Sequence, residues 1–164
     1  MGIAPLVSVI DTSALIRIVY RFPATKDQHK IFGRLAPLVR SGVLCYPKQV
    51  IVELVRYSGR KDFPCLWATS TQRERRFSDP PDQFVRIVMT HAGQVVDPRK
   101  DHEDADPYVL AQALYIESLG HRVQLITEDR KDTIHRIAMT TAAGRLKLSH
   151  VSIIKFLDDH GIVS

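Results

Sequence analysis

Four acidic residues stand where a parallel α/β fold would bring them close to one another: Asp11, Glu53, Asp106 and Asp129. Asp11 follows the apolar segment 6–10, and Asp129 lies just beyond the largely apolar segment 122–127. Because open parallel sheets bind ligands beyond the carboxyl ends of their strands, we expect these two acids at one edge of the sheet. Carboxylate oxygens are the ligands that Mg²⁺ and Mn²⁺ prefer, and clustered carboxylates repel one another unless a cation is present. The pattern therefore predicts a divalent-cation site.

The other two acids lie on predicted helices. Glu53 stands inside the apolar segment 50–55, where a buried carboxylate costs free energy unless it faces a cation. Asp106 precedes Pro107, a residue that suits the first turn of a helix. Asp104 offers an additional ligand or a partial replacement for Asp106. Cations held by such a cluster could activate a water molecule and stabilise the leaving oxygen of a phosphodiester.

Each acid also has a purely structural explanation. Asp106 could be a helix N-cap, and Asp11 a turn or cap residue. Glu53 could form an ion pair with Arg56, and residues 128–129 could be a solvated turn. However, all four acids fall at strand ends or on helices that flank one predicted sheet, which favours a shared site.

The elements that would position these acids alternate between strands and helices. Short apolar segments predict strands at 6–10, 43–46, 95–96, 122–127 and 146–148. Helical spacing of apolar residues predicts helices over 14–19, 26–39, 48–57, 84–88, 107–120, 133–143 and 151–160. Segment 60–77 is polar and is interpreted as a surface helix with a solvated basic face. The alternation predicts a three-layer α/β/α sandwich with a central parallel sheet, formed by a single domain over residues 1–164.

Composition and charge limit the classes of protein. The chain is 45% hydrophobic and 25% charged, which is ordinary for a globular protein that is not embedded in a membrane. No apolar segment approaches the roughly 18 residues of a membrane span, and residues 1–10 do not resemble a signal peptide. Cys45 and Cys65 lack metal-ligand spacing and are expected to be reduced core thiols in a cytoplasmic protein. The net charge of +5 makes nucleic acid a reasonable partner.

Four segments, in order along the chain, resemble the motifs of PIN domains: 9–15, 50–54, 105–113 and 125–129. The first is a strand ending in Asp before Thr or Ser, and the second a Glu on a helix. The third is an Asp that opens a helix of small and aliphatic residues, and the fourth a strand followed by Thr, any residue and Asp. The resemblance implies an α/β/α sandwich, dependence on Mg²⁺ or Mn²⁺, and endonuclease activity on single-stranded RNA.

The resemblance also assigns roles to residues. Carried over one by one, Asp11, Glu53 and Asp106 would be the core metal ligands and catalytic acids, with Asp129 as the fourth acid, often acting through water. Asp104 departs from the family pattern and could be an additional ligand or replace Asp106 in part. Ser13 and Thr127 would be supporting hydroxyl groups. Glu128 stands beside the fourth acid, either as a supporting carboxylate or as its competitor.

Basic residues near the acids would bind the phosphates of the RNA substrate, although each could equally be an exposed solubilising charge. Arg130 and Lys131, which follow the fourth acid, are the first candidates, and Arg56 is the next. Further candidates are Arg17, Arg99 and Lys100, with His102 as a substrate contact. Many stand-alone PIN domains of this length are toxins of the VapC type that a cognate antitoxin neutralises, so an antitoxin and a homodimer are expected partners.

Two other functions compete with this prediction. A non-catalytic PIN-like module that binds RNA or protein would tolerate the loss of an acid, whereas this chain retains all four. A phosphohydrolase of the haloacid dehalogenase type needs a second Asp two residues after the first, and Ser13 occupies that position. Segment 60–94 is longer and more polar than expected for a compact toxin, and Asp101, Glu103 and Asp104 make the third motif unusually acidic.

Overall fold

The computed structural model describes residues 2–163 and contains one four-stranded parallel sheet. The strands are β1 (Leu6–Ile10), β2 (Leu44–Cys45), β3 (Arg122–Ile126) and β4 (Ser149–Val151), in the order β2-β1-β3-β4. β1 is buried from Val7 to Ile10 because it is flanked by strands on both sides and its apolar, largely β-branched side chains pack in the core. Val9 pairs with Cys45 on one side and with Leu125 on the other, so the carboxyl ends of β1 and β3 are level.

Eight α-helices accompany the sheet within the described residues. They are α1 (Thr12–Arg21), α2 (Thr25–Ser41), α3 (Lys48–Ser58), α4 (Phe63–Thr71), α5 (Asp82–Ala92), α6 (Asp106–Ser118), α7 (Met139–Arg145) and α8 (Ile153–Asp159). α6 packs against β1, β3 and α5, and it is apolar on most sides because it lies between the sheet and another helix.

The strand order divides the molecule into two halves. The chain moves from β1 outward to β2, then crosses back past β1 to β3 and continues outward to β4. Because crossovers between parallel strands are right-handed, connections that run in opposite directions cover opposite faces of the sheet. This confirms the predicted α/β fold with a central parallel sheet, consistent with a three-layer sandwich. The direction reverses between β1 and β3, which is where such sheets bind ligands.

Two predictions about segment 60–96 are wrong. The segment 60–77 does not form a surface helix: α4 is short, and its Cys65, Trp67 and Ala68 are buried against α2 and α3. The basic residues follow α4 in a 3-10 turn and a loop. The predicted strand 95–96 is also absent from the sheet, because Val95 ends a 3-10 turn and packs in the core.

Two boundaries near the C-terminus differ from the prediction. The helix predicted over 133–143 begins only at Met139, because Thr133 closes a tight turn with Arg136. Asp132 then accepts a hydrogen bond from the Ala138 backbone N–H at 2.7 Å. The last strand is β4 rather than 146–148, which is a turn with Lys147 in the left-handed region (φ 58°). The other predicted strands and helices are confirmed within a few residues.

Cys45 and Cys65 are buried free thiols, as predicted. Burial raises the pKa of the Cys45 thiol to about 12. No helix among residues 2–163 is both long and apolar enough to cross a membrane.

Candidate active site

A cavity of about 380 Å³ opens at the reversal point between β1 and β3. Five carboxylates line it: Asp11, Glu53, Asp104, Asp106 and Asp129. Its remaining walls are Thr12, Ser13, Ile16, Lys100 and Arg136. We call this the acid cavity. It brings together the four acids chosen from the sequence and the additional candidate Asp104.

Asp11 lies at the bottom of the acid cavity and is fully buried. It follows β1 and caps α1, because its Oδ1 accepts hydrogen bonds from the Ala14 backbone N–H (2.9 Å) and the Ser13 hydroxyl (2.7 Å). The Thr127 hydroxyl donates to its Oδ2. Burial raises the pKa of Asp11 to about 6. The three hydrogen bonds oppose this rise, and the charge of Asp129 adds to it. Asp11 is therefore both a helix cap and a buried carboxyl group whose ionisation is unfavourable.

Glu53 reaches the acid cavity from α3. Its Oε1 accepts a hydrogen bond from the Thr12 hydroxyl at 2.5 Å, and its Oε2 accepts one from the Ala105 backbone N–H at 3.0 Å. Burial raises the pKa of Glu53 although these bonds oppose the shift. The alternative pairing with Arg56 is absent from the ion pairs of residues 2–163. Glu53 thus ties α3 to α1 and to the start of α6.

Asp106 is the first residue of α6, and Ala105 is the N-cap, so the N-cap explanation for Asp106 is wrong. Burial, together with the charges of Asp104, Asp11 and Glu53, raises the pKa of Asp106 well above its usual range. Asp104 behaves in the opposite way: burial raises its pKa, but the Lys100 ammonium, 3.0 Å away, outweighs this effect and lowers it. Asp104 also accepts a hydrogen bond from the Asp106 N–H at 3.2 Å.

Arg136 is the functional residue that the sequence did not reveal. Its Nη2 donates to Asp106 Oδ2 (2.9 Å) and to Asp129 Oδ2, and its Nε donates to the Val95 carbonyl (3.1 Å). Burial lowers the pKa of this guanidinium, but its contacts with Asp129 and Asp106 outweigh burial and raise it. Arg136 lies in the loop that was predicted to be helical, and nothing in its neighbours marks it. Only the three-dimensional fold shows that it bridges two of the acids.

The other predicted site residues divide into three groups. Ser13 and Thr127 contact Asp11, where supporting hydroxyls were expected. Glu128 points away from the acid cavity: its Oε1 accepts a hydrogen bond from the Ile153 N–H at the start of α8 (2.8 Å), so Asp129 rather than Glu128 lines the cavity. Arg130 lies 3.5 Å from Glu128 and, like Lys131, is exposed outside the cavity lining.

Of the other basic residues that the sequence suggests as phosphate contacts, two line a cavity and two do not. Lys100 lines the acid cavity, and Arg56 lines a smaller cavity beside it. Arg17 is exposed on α1. Arg99 forms a bidentate pair with Asp97, whose carboxylate also accepts the Arg99 backbone N–H.

The donor set of the acid cavity fits a hard divalent cation. All five acidic groups offer oxygen ligands, and the raised pKa values of Asp11, Glu53 and Asp106 reflect negative charge that water does not solvate. Yet within residues 2–163 no group of three or more Asp, Glu, His or Cys side chains is arranged so that it could hold an ion. Arg136 forms ion pairs with both Asp106 and Asp129, so the oxygens of these two acids are engaged by its guanidinium. Ligation by those two acids requires Arg136 to move.

A larger cavity of about 580 Å³ lies away from the acids, between α2 and the C-terminal segment. Its charged wall residues are Asp27, Asp158, Lys30 and Arg34. Because both signs of charge are present, this cavity does not select one class of ligand.

A protein family described as a domain of unknown function (DUF4411) matches residues 8–163. No curated protein matches the chain in sequence. Among solved structures, the chain is similar to the crystal structure of PAE2754 from Pyrobaculum aerophilum, with 17% sequence identity and a TM-score of 0.49. The alignment covers 97% of this chain and 92% of that chain.

Proposed function

This chain belongs to the DUF4411 family, and we propose that it is a metal-dependent endoribonuclease that hydrolyses RNA phosphodiester bonds in the acid cavity. The observation that carries the proposal is the convergence of five carboxylates on one cavity at the reversal point of a parallel sheet. Five carboxylates face only two cationic side chains there, and burial raises the pKa values of Asp11, Glu53 and Asp106. The choice of RNA as substrate rests on the resemblance of the four motifs to those of PIN domains.

The required metal is Mg²⁺ or Mn²⁺, and Asp11, Glu53, Asp106 and Asp129 would hold it, with Asp104 as an additional ligand. When bound, such a cation supplies an activated water molecule and stabilises charge on the leaving oxygen. Ser13, Thr127 and Thr12 orient the ligands, because their hydroxyls donate to Asp11 and Glu53.

Arg136 and Lys100 have a second role in this proposal. In the metal-free cavity each neutralises an acid, Arg136 at Asp106 and Asp129 and Lys100 at Asp104. If those acids held a cation, Arg136 and Lys100 would no longer be needed to neutralise them and could bind an RNA phosphate. Arginine is well suited to this exchange because its planar guanidinium binds carboxylates and phosphates through the same paired N–H groups.

The test is the double variant Asp11→Asn/Asp106→Asn. Wild-type protein is expected to cut single-stranded RNA with Mn²⁺ and to stop when a chelator is added, whereas the double variant does not cut. The matched control is Asp158→Asn/Asp159→Asn at the exposed end of α8, which changes the net charge equally and should cut like wild type. Chelator-resistant cleavage, or equal cleavage by the acid-cavity variant, would contradict the proposal.

A second function is a non-catalytic PIN-like module that binds RNA or protein. Two observations favour it: Arg136 pairs with Asp106 and Asp129, and no group of three or more acidic, His or Cys side chains among residues 2–163 is arranged to hold an ion. This module would bind RNA without cutting it at any concentration of Mg²⁺ or Mn²⁺, so the same cleavage assay separates the two functions.

The cellular role we propose is that of a toxin in a toxin–antitoxin pair, acting in the cytoplasm, where buried free thiols such as Cys45 and Cys65 remain reduced. Expression of the chain should then arrest growth, and Asp11→Asn should abolish the arrest. Co-purification with the product of an adjacent open reading frame would identify the antitoxin, and sedimentation would detect a homodimer. Expression without arrest would contradict the toxin role while leaving the nuclease proposal intact.

A further inference from the structure

A second cavity of about 300 Å³ adjoins the acid cavity. We call it the side pocket. It is lined by Thr12, Ile16, Glu53, Arg56, Tyr57 and His102. Thr12, Ile16 and Glu53 line both cavities, so the two form one continuous depression. A ligand that crosses the acid cavity therefore reaches the side pocket without leaving the surface.

The walls of the side pocket combine three kinds of side chain. Tyr57 and His102 contribute aromatic rings, Ile16 an apolar surface and Arg56 a guanidinium. Aromatic rings and guanidinium planes are the groups on which proteins stack unpaired bases. The volume lies at the lower end of the range for small-ligand pockets, which suits a flat ring system better than an extended chain.

Tyr57 is fixed in place although it is exposed. Its hydroxyl lies 2.8 Å from that of Tyr20, which comes from α1, and the side chains are 55% and 67% exposed. The hydrogen bond joins the ends of α1 and α3 and limits the rotation of both rings. A large aromatic ring that is exposed yet held in one orientation loses little entropy when it stacks on a ligand.

The charges around the side pocket favour a polyanion over a protein partner. Arg56, Arg60 and Lys61 lie in the last turn of α3 and just beyond it. Opposing charge comes from Glu53, which is bound to Thr12 and Ala105, and from Asp101, which is 3.2 Å from His102. The nearby Asp62 is engaged in capping α4 and accepting the Ser58 hydroxyl.

We propose that the side pocket binds one unpaired nucleobase of single-stranded RNA, stacked on Tyr57, next to the phosphate that lies in the acid cavity. This proposal rests on the proposed function, because it deepens the substrate class of the same site. It requires single-stranded substrate, since a base within a duplex cannot enter a side pocket of this size.

The experiment measures RNA binding by fluorescence anisotropy in Ca²⁺, which neutralises the carboxylates of the acid cavity, and a gel confirms that the probe stays intact. The two probes are a short labelled single-stranded oligoribonucleotide and a strand of the same length whose nucleotides are replaced by base-free spacers. Both probes carry the same phosphates, so their difference reports the bases alone. Wild type is expected to bind the base-bearing strand more tightly.

Tyr57→Ala should weaken binding of the base-bearing strand about five-fold or more, from the usual contribution of stacking, and leave binding of the spacer strand unchanged. Tyr57→Phe keeps the ring but loses the hydrogen bond to Tyr20, so its binding should lie between those of wild type and Tyr57→Ala, which separates stacking from orientation of the ring. Thermal unfolding of each variant monitors the fold. His102→Ala, a second exposed position in the same wall, should also weaken only the base-bearing strand.

Equal wild-type binding of both probes, or no binding of the base-bearing strand, would overturn the proposal. So would a Tyr57→Ala variant that binds RNA like wild type but loses a co-purifying protein, because the side pocket would then belong to a protein partner. Base-dependent binding without Mn²⁺-dependent cleavage would support the side pocket and contradict the nuclease. Mn²⁺-dependent cleavage, together with RNA binding that Tyr57→Ala does not change, would support the nuclease and contradict the side pocket.

Discussion

Replacing Asp11 by Asn should stabilise the metal-free protein at alkaline pH. Burial raises the pKa of Asp11 from 3.8 to about 6, which corresponds to about 3 kcal/mol of unfavourable ionisation in the folded state. An acid whose pKa rises on folding stabilises the fold below its unfolded pKa and loses that contribution as the pH rises through the folded value. Asn carries no charge, and its side-chain oxygen can still accept the Ser13 and Ala14 hydrogen bonds.

The measurement is chemical or thermal unfolding in EDTA at about pH 4 and about pH 8. At the higher pH, the free energy of unfolding of Asp11→Asn should exceed that of wild type by up to about 3 kcal/mol, a rise in Tm on the order of 5–10 °C for a domain of this size. At the lower pH the difference should disappear, because Asp11 is then protonated in wild type. The control Asp158→Asn, an exposed acid, should behave like wild type at both pH values.

Addition of Mn²⁺ gives the same experiment a second readout. A cation that binds only the folded protein raises its stability by mass action, so wild type should gain Tm with Mn²⁺. Asp11→Asn should gain much less because it lacks the buried ligand. If Asp11→Asn is less stable than wild type at both pH values, then capping of α1 dominates and the reasoning from buried charge fails.

Three further results are expected. Arg136→Met should destabilise the metal-free protein by about 3 kcal/mol, because it leaves Asp106 and Asp129 without their cation, and it should increase the Tm gain from Mn²⁺; an unchanged gain would show that Arg136 does not compete with metal. Glu128→Ala should lower stability by about 1 kcal/mol by removing the acceptor at the start of α8, with cleavage unchanged in a nuclease assay. Cys45 should react with iodoacetamide only in denaturant, because burial raises the pKa of its thiol to about 12. Measurable alkylation of Cys45 in the native protein would contradict this prediction.

The framework of the site could be predicted because its signals are local. Asp11 follows a short apolar strand, and the strand itself determines the position of that carboxylate. Glu53 was recognised because a charged residue in an apolar helical segment needs a reason to be there. These signals depend on a few consecutive residues and can be read locally, although the convergence of the acids itself requires the pairing of β1 with β3.

The failures concern segments whose structure depends on distant contacts. The polar composition of segment 60–77 and its basic end predict a surface helix, yet Trp67 is buried against the rings of Phe32 and Tyr46. The predicted strand at 95–96 has the right composition, but Gly93–Val95 forms a 3-10 turn and the segment pairs with no strand of the sheet. Val95 instead joins the core, and its carbonyl accepts the Arg136 side chain. Composition alone does not distinguish these outcomes.

The acid cavity contains more acidic than basic side chains. Five carboxylates face two cationic side chains, Lys100 and Arg136, so full ionisation leaves an excess of negative charge in a largely buried space. The folded protein can reduce that excess by holding protons, which the raised pKa values of Asp11 and Asp106 express, or by binding a cation. Proton uptake neutralises the acids one at a time, whereas a divalent cation would neutralise several at once. A cavity built only for stability would have apolar residues or complete ion pairs here, because a partly neutralised buried cluster costs free energy. The presence of this energetically unfavourable cluster is the strongest physical argument that the acid cavity binds a ligand.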